Sequence, residues 1–208
     1  MKSSRLLRAV FAVSCVVFGV YSWFKIFRSP ETKPQDGEPD GEIDPDLPFA
    51  RAGDILLFNR AQGLNRLITW FTHSHFYHVG IALGENRVVE ARPRGVVIRD
   101  LTGPDGDKRF QIIPAANVGG SETAERAMNW ALSRVGDGYD PFNVLSLVCD
   151  RVFTHINWNA SLPRHWTCGE FVATAYENAG APLFEKSAAS VAPVDFQQFL
   201  PSQSQPRS

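Results

Sequence analysis

Between residues 49 and 200 the spacing of apolar positions changes from a strand-like to a helical period. Ile55-Leu56-Leu57-Phe58 follows the turn Arg51-Ala52-Gly53-Asp54 and reads as a short buried strand, with Asp54 bonding its own turn. Gly63 to Phe71 has Leu64, Leu67, Ile68 and Phe71 at helical spacing. Tyr77 to Leu83 and Arg87 to Ala91 make a hairpin around Gly84-Glu85-Asn86. Gly95 to Ile98, after Pro93, and Phe110 to Ile113 are further strands, and strands so short and so close along the chain predict an antiparallel sheet. A helix capped by Ser121 then runs to about Val135, with Ala124, Ala127, Ala131 and Val135 on one stripe and Gly136 as the stop. Asp140-Pro141 opens another toward Phe153, with Phe142, Leu145, Cys149 and Val152 on its stripe. A last helix runs from Cys168 to about Ala179 and ends at Gly180 and Pro182. Strands followed by helices predict an α+β domain, an antiparallel sheet packed against helices. There are no internal repeats, and residues 201–208 are a polar, frayed tail.

Upstream of this domain the pattern is different. Ala9 to Phe24 is apolar, and Leu6, Leu7, Ile26 and Phe27 extend the run past Arg8 and Lys25. Roughly 20 apolar residues span a bilayer, and the flanking cations can snorkel to the headgroups. Residues 1–28 are therefore expected to be a membrane anchor, a single transmembrane helix over about 6–27. A cleaved signal peptide would need a small-x-small site, whereas this run closes in Tyr-Ser-Trp-Phe-Lys. A lipoprotein site at Cys15 would leave half of the apolar run after the cysteine. The basic excess at the N-terminus favours that end inside, with the domain on the outer, extracytoplasmic side. Residues 29–48 hold five prolines and seven acids against the single base Lys33. Such a stretch buries too little apolar surface to offset its ordering entropy, so it is an acidic linker. The domain occupies residues 49–200.

Charge narrows the partners. The anchor and linker carry 6 of the 21 Lys and Arg and 7 of the 22 Asp and Glu, leaving 15 of each sign for residues 49–208. A neutral domain without a basic block is a poor match for a phosphate backbone, so no nucleic-acid partner is expected.

The candidate chemistry centres on Thr167-Cys168-Gly169-Glu170. This T-x-x-E run is a capping box, which makes Cys168 the first helical residue. Unpaired amides and the positive end of the helix dipole favour a thiolate there; a thiol of pKa ~8.5 falls to roughly 3.5–7.5 in such settings. Among the five histidines, His78 lies in the Tyr77 to Leu83 strand, in which Val79, Ile81 and Leu83 are large, while His78 itself is followed on its own face by Gly80 and Ala82. Small residues let another backbone approach, so the helix bearing Cys168 is expected to lie on that face. Glu90 lies twelve residues beyond His78. Across an odd-numbered hairpin loop, residues of equal parity share a face, and Glu90 would then orient the imidazole; a two-residue loop would separate them.

Gly53-Asp54-Ile55-Leu56, His78-Val79-Gly80-Ile81, Val89-Glu90-Ala91 and Cys168-Gly169-Glu170-Phe171-Val172 closely resemble the YiiX/YebB-like, circularly permuted branch of the NlpC-type, papain-like cysteine hydrolases. The resemblance covers most of residues 50–200, including Gly138-Tyr139-Asp140 and Pro193-Val194-Asp195. It implies a permuted papain-like fold in which Cys168 is the nucleophile, His78 the base and Glu90 the third member, with no cofactor. Lecithin retinol acyltransferase is similar, with a second histidine where Glu90 stands. The implied substrates are cell-envelope peptides cleaved at an amide or, alternatively, lipid acyl groups hydrolysed or transferred. A third alternative is a non-catalytic binding module with Cys168 buried or oxidised. Other readings of the same residues remain. Cys168 pairs with Cys149 in a disulfide in one, and Glu90 is a structural carboxylate in another. His73, His75, His78 and Glu90 form a metal site in a third, although no zinc-type spacing supports it. Trp166 and Tyr139 either line the cleft or cover the core.

Overall fold

The computed structural model describes residues 50–59, 76–102, 110–141, 143 and 162–201, all within one compact unit, Gly41–Ser208. The expected anchor, the linker, the helix over 63–71 and residues 202–208 lie outside the described residues, as do Cys15, His73, His75 and Cys149. Among the described residues no helix is long and apolar enough to cross a membrane.

The protein is α+β. Strands β1 (Ile55–Phe58), β2 (His78–Gly84), β3 (Arg87–Arg92), β4 (Gly95–Asp100) and β5 (Phe110–Ile113) form one sheet in the order β4-β3-β2-β1-β5, antiparallel throughout. Among the described residues two helices are seen at full length, α1 (Ser121–Leu132) and α2 (Cys168–Asn178), with the parallel two-residue strands β6 (Gly138–Tyr139) and β7 (His165–Trp166) between them. Three 3₁₀ turns complete the described chain, at Ala115–Val118, Ala188–Ser190 and Pro193–Phe199. Asp54 accepts from the Arg51 amide at 2.9 Å within its own turn, and also from the Ala115 amide at 2.9 Å, which ties β1 to the first 3₁₀ turn.

Strand alternation sorts the core into two clusters. One face of the sheet, built from Ile55, Leu57, Val79, Ile81, Val89, Ala91, Val96 and Ile113, packs on Phe171, Val172, Ala175 and Tyr176 of α2 and on Ala127 and Ala131 of α1. Phe171 and Val172 are fully buried, each contributing about 1.5–3 kcal/mol. The other face carries a smaller cluster of Leu56, Phe58, Ala82, Val88, Leu101 and Phe110. Helix α2 thus packs on the large residues of β2, not on the Gly80 and Ala82 side as expected. The physical reason is at Gly80: a Cβ there would stand 2.7 Å from Val88 Cγ2 and 3.1 Å from Glu90 Cβ, so the space is taken by side chains of β3.

The hairpin between β2 and β3 also departs from expectation. Its turn has two residues, Glu85 and Asn86, both left-handed with φ of 49° and 58°, as a type I′ turn requires. A two-residue loop alone would place His78 and Glu90 on opposite faces. A bulge between Ala82 and Gly84 changes the register from Gly84↔Arg87 to Ala82↔Val88 and Ile81↔Val89, and the extra residue restores equal parity.

Helix α1 starts one residue earlier than expected and also ends earlier. Gly120, with φ 86°, is the N-cap and Ser121 is the first helical residue. Beyond Leu132 the chain is drawn to the edge of β4, where Val96 N donates to Asp137 O and Gly136 N to Val96 O. Val135 leaves the buried stripe in consequence and is exposed.

Candidate active site

The capping box forms as the sequence indicates. The Glu170 amide donates to Thr167 Oγ1 at 3.3 Å, and the Thr167 amide donates to Glu170 Oε2 at 3.4 Å. Cys168 is the first residue of α2, a free thiol and 8 % exposed. Cys149, the partner in the alternative disulfide reading, lies outside the described residues. Two supports immobilise this helix end. Gly169 admits the backbone of the segment after Ala188–Ser190, since a Cβ would lie 2.2 Å from Val191 O. Behind it, Asn143 Nδ2 donates to Glu170 Oε2 and to Ala189 O, each at 3.0 Å. Asn143 is held in turn: its amide donates to Asp140 Oδ1 at 2.9 Å, the N-cap bond that the Asp140-Pro141 pattern implies. The greater part of that helix lies outside the described residues. Burial raises the Glu170 pKa; the Asn143 bond and the Thr167 amide oppose that rise, and the Asp140 charge adds to it.

His78 is the first residue of β2, and by alternation it projects from the face opposite to α2. It meets Cys168 where the two elements begin. Its Nε2 is 2.8 Å from Glu90 Oε2, and Cys168 is close enough to the ring to act on its titration. The imidazole packs 5.4 Å from the Phe58 ring and 6.1 Å from that of Tyr77. Glu90 is fully buried. Arg99 grips it from β4, Nε to Oε1 at 2.6 Å and Nη2 to Oε2 at 3.3 Å, and Arg92 Nη1 approaches Oε1 at 3.4 Å. Burial, the largest influence on His78, lowers its pKa, but the Glu90 charge, the hydrogen bonds to Cys168 and Glu90 and the Cys168 charge together raise it to about 9. Burial likewise opposes ionisation of Glu90; the charges of His78 and Arg99 and their hydrogen bonds outweigh it and hold the carboxyl far below the usual range.

No protein-family model matches the chain, and no curated protein matches it either.

The loop entering α2 is braced by aromatic packing and by an ion pair whose carboxylate is buried while its guanidinium is exposed. Asp137 accepts from Arg164 Nε and Nη2 at 2.9 and 2.7 Å and from Trp166 Nε1 at 3.1 Å. Trp166 packs on Trp130 and Phe171, with ring centroids 5.4 and 6.3 Å away. It therefore covers the core, two residues before Cys168. The pairing Tyr139↔Trp166 sets Tyr139 beside this loop. Burial raises the Tyr139 pKa, and the charges of Cys168 and Asp140 raise it further against the opposing Arg92, so the phenol stays neutral near the thiol.

The structure thus brings Cys168, His78 and Glu90 together, while His73 and His75 lie outside the described residues. The sequence reading missed Arg99, Asn143 and Asp137. Arg99 lay one residue past the expected end of its strand at Ile98; extending β4 by one residue would have put a guanidinium on the Glu90 face.

Proposed function

We propose that the protein is a cysteine hydrolase that cleaves amide bonds of cell-envelope peptides. The observation that carries this reading is the imidazole of His78 held between a buried carboxylate and a free thiol at the mouth of a helix. Such a set needs only geometry and role, not a particular chain order. His78 and Glu90 preceding Cys168 is the order of the permuted, NlpC-type papain-like fold, which is the finer architecture proposed here.

The Cys168 thiol gives its proton to His78, whose raised proton affinity retains it, and the sulfur attacks the substrate carbonyl carbon. The carbonyl oxygen takes up the electron pair. The amide of Cys168, in the first turn where helical N–H groups have no intrahelical acceptor, donates to that oxyanion. The imidazolium then protonates the leaving amine as the carbon–nitrogen bond breaks, which leaves a thioester. Neutral His78 next removes a proton from water, hydroxide adds to the thioester, and the acid departs as Cys168 regains its proton. Glu90 holds the ring in one orientation and stabilises its positive charge. The apolar run over residues 1–28 would anchor the chain, placing the domain on the extracytoplasmic side where such peptides lie.

The test uses the full-length chain in detergent, incubated with peptidoglycan-derived peptides and separately with phospholipid vesicles. Amide cleavage is expected for the wild type, with a loss of about 10⁵- to 10⁶-fold in Cys168→Ala. Unchanged turnover in that variant overturns the assignment. Release of fatty acid without peptide cleavage would transfer the same three residues to lipid acyl chemistry.

A further inference from the structure

We infer that Arg99 is a positioning residue of this site, one whose forked grip on Glu90 fixes the carboxylate that orients His78. Its catalytic consequence rests on the hydrolase reading above.

The geometry is specific to Arg99. Its Nε and Nη2 take separate oxygens of Glu90, at 2.6 and 3.3 Å. The second of these oxygens is the one that meets His78 Nε2 at 2.8 Å. A planar fork on both oxygens sets the plane of the carboxylate, which a point charge does not. The Arg99 side chain is 13 % exposed and its guanidinium lies 5.4 Å above the Phe58 ring; Phe58 in turn packs against the imidazole of His78. One aromatic ring therefore braces both ends of the Arg99–Glu90–His78 chain. Arg92 differs: it reaches a single oxygen at 3.4 Å and is 37 % exposed, so it adds charge without direction.

The charged groups around Glu90 are His78 on β2, Arg92 on β3 itself and Arg99 on β4, with Cys168 beyond the imidazole. His78 must lose and regain a proton during turnover. While His78 is neutral, Glu90 would be a buried anion that has lost one of its positive partners, which is costly. Arg99, permanently charged, covers that interval and keeps the proton from moving on to the carboxylate. Both the charge and the hydrogen bond of Arg99 act in the direction that favours ionised Glu90. Its removal must therefore raise the pH at which Glu90 protonates and releases the ring.

The experiment compares full-length wild type with Arg99→Met, Arg99→Lys, Glu90→Gln and the Arg99→Met/Glu90→Gln pair. Without any substrate, the His78 ring proton facing Glu90 is followed by NMR as the pH falls. In the wild type the signal should persist to the lowest pH at which the protein stays folded. Arg99→Met should lose it at a higher pH, near the ordinary carboxylate range, and Arg99→Lys should recover most of that acid limb because it keeps the charge. On the hydrolysed peptide, Arg99→Met should lower kcat about 10–100-fold with KM little changed. Arg99→Lys should recover only part of it because the fork is lost. Adding Arg99→Met to Glu90→Gln should cost little more. An acid limb identical to wild type, or losses that simply multiply in the double variant, would show a merely structural arginine and overturn the inference. If Arg99→Met does not fold, a wild-type kcat in Arg99→Lys overturns it equally. A shifted acid limb in a chain that hydrolyses nothing would sink the proposed function while leaving the grip of Arg99 on Glu90 in place.

Discussion

At Glu90 three cationic side chains converge on one buried carboxylate, and the titration of His78 follows from that crowding. The rise of His78 to about 9 is a contest between burial, which lowers its proton affinity, and the Glu90 charge with the bonds from Glu90 and Cys168, which raise it. Glu90→Gln removes the charge and leaves the burial. His78 should then titrate below its ordinary 6.5, as followed by ring NMR; a value still near 9 would mean that Glu90 is not the source. The same shifts set the pH dependence of stability. His78 has a raised folded-state pKa, so its contribution is complete below about 6.5 and disappears as the pH climbs through about 9. Glu90 is depressed, so its contribution is complete above its ordinary 4.5 and is lost on acidification. Thermal melts should therefore show the pair at full strength between roughly pH 4.5 and 6.5, and Glu90→Gln should flatten the decline toward pH 9.

Single elements place these residues, and each depends on a close approach that one added methyl group would prevent. In Gly80→Ala the new Cβ would meet Val88 Cγ2 at 2.7 Å and Glu90 Cβ at 3.1 Å. Glu90 is expected to be displaced from His78, at a stability cost of about 1–3 kcal/mol, and the His78 pKa should fall with it. Gly169→Ala is the harsher change, because the obstacle is the backbone oxygen of Val191 at 2.2 Å and not a movable side chain. It should push the segment after Ala188–Ser190 away from the start of α2 and lower both Tm and turnover. Thr167→Ala removes the cap on that helix, an expected loss of about 1 kcal/mol in denaturant titration. A melting temperature unaffected by any of the three would contradict the packing described.

Over the whole molecule, α2 is the element on which sheet and site depend together. Its Tyr176 hydroxyl donates to Gly53 O at 2.8 Å across 123 residues of chain, clamping the far end of the helix to the turn before β1. Tyr176→Phe should cost about 0.5–1.5 kcal/mol yet leave turnover intact at permissive temperature, because Cys168 sits at the opposite end. What local sequence determined is what depends on near neighbours. The period of apolar residues marked β1, β5 and α2, Thr167 and Glu170 marked a cap, and the cap put Cys168 at a helix mouth. Pairing His78 with Glu90 needed the right parity, and the parity came from a bulge at Ala82/Gly84 that no local pattern announces. The face on which α2 lies was decided by β3 side chains filling the space over Gly80. Arg99 and Asn143 reach the site only because strand register and helix packing bring chain segments 9 and 27 residues apart into contact. Caps and periodicity arise from interactions within a turn or two, so the sequence alone carries them. Register, face and the partners of a buried charge depend on which distant segments share the limited space of the core, and only the folded chain resolves that competition.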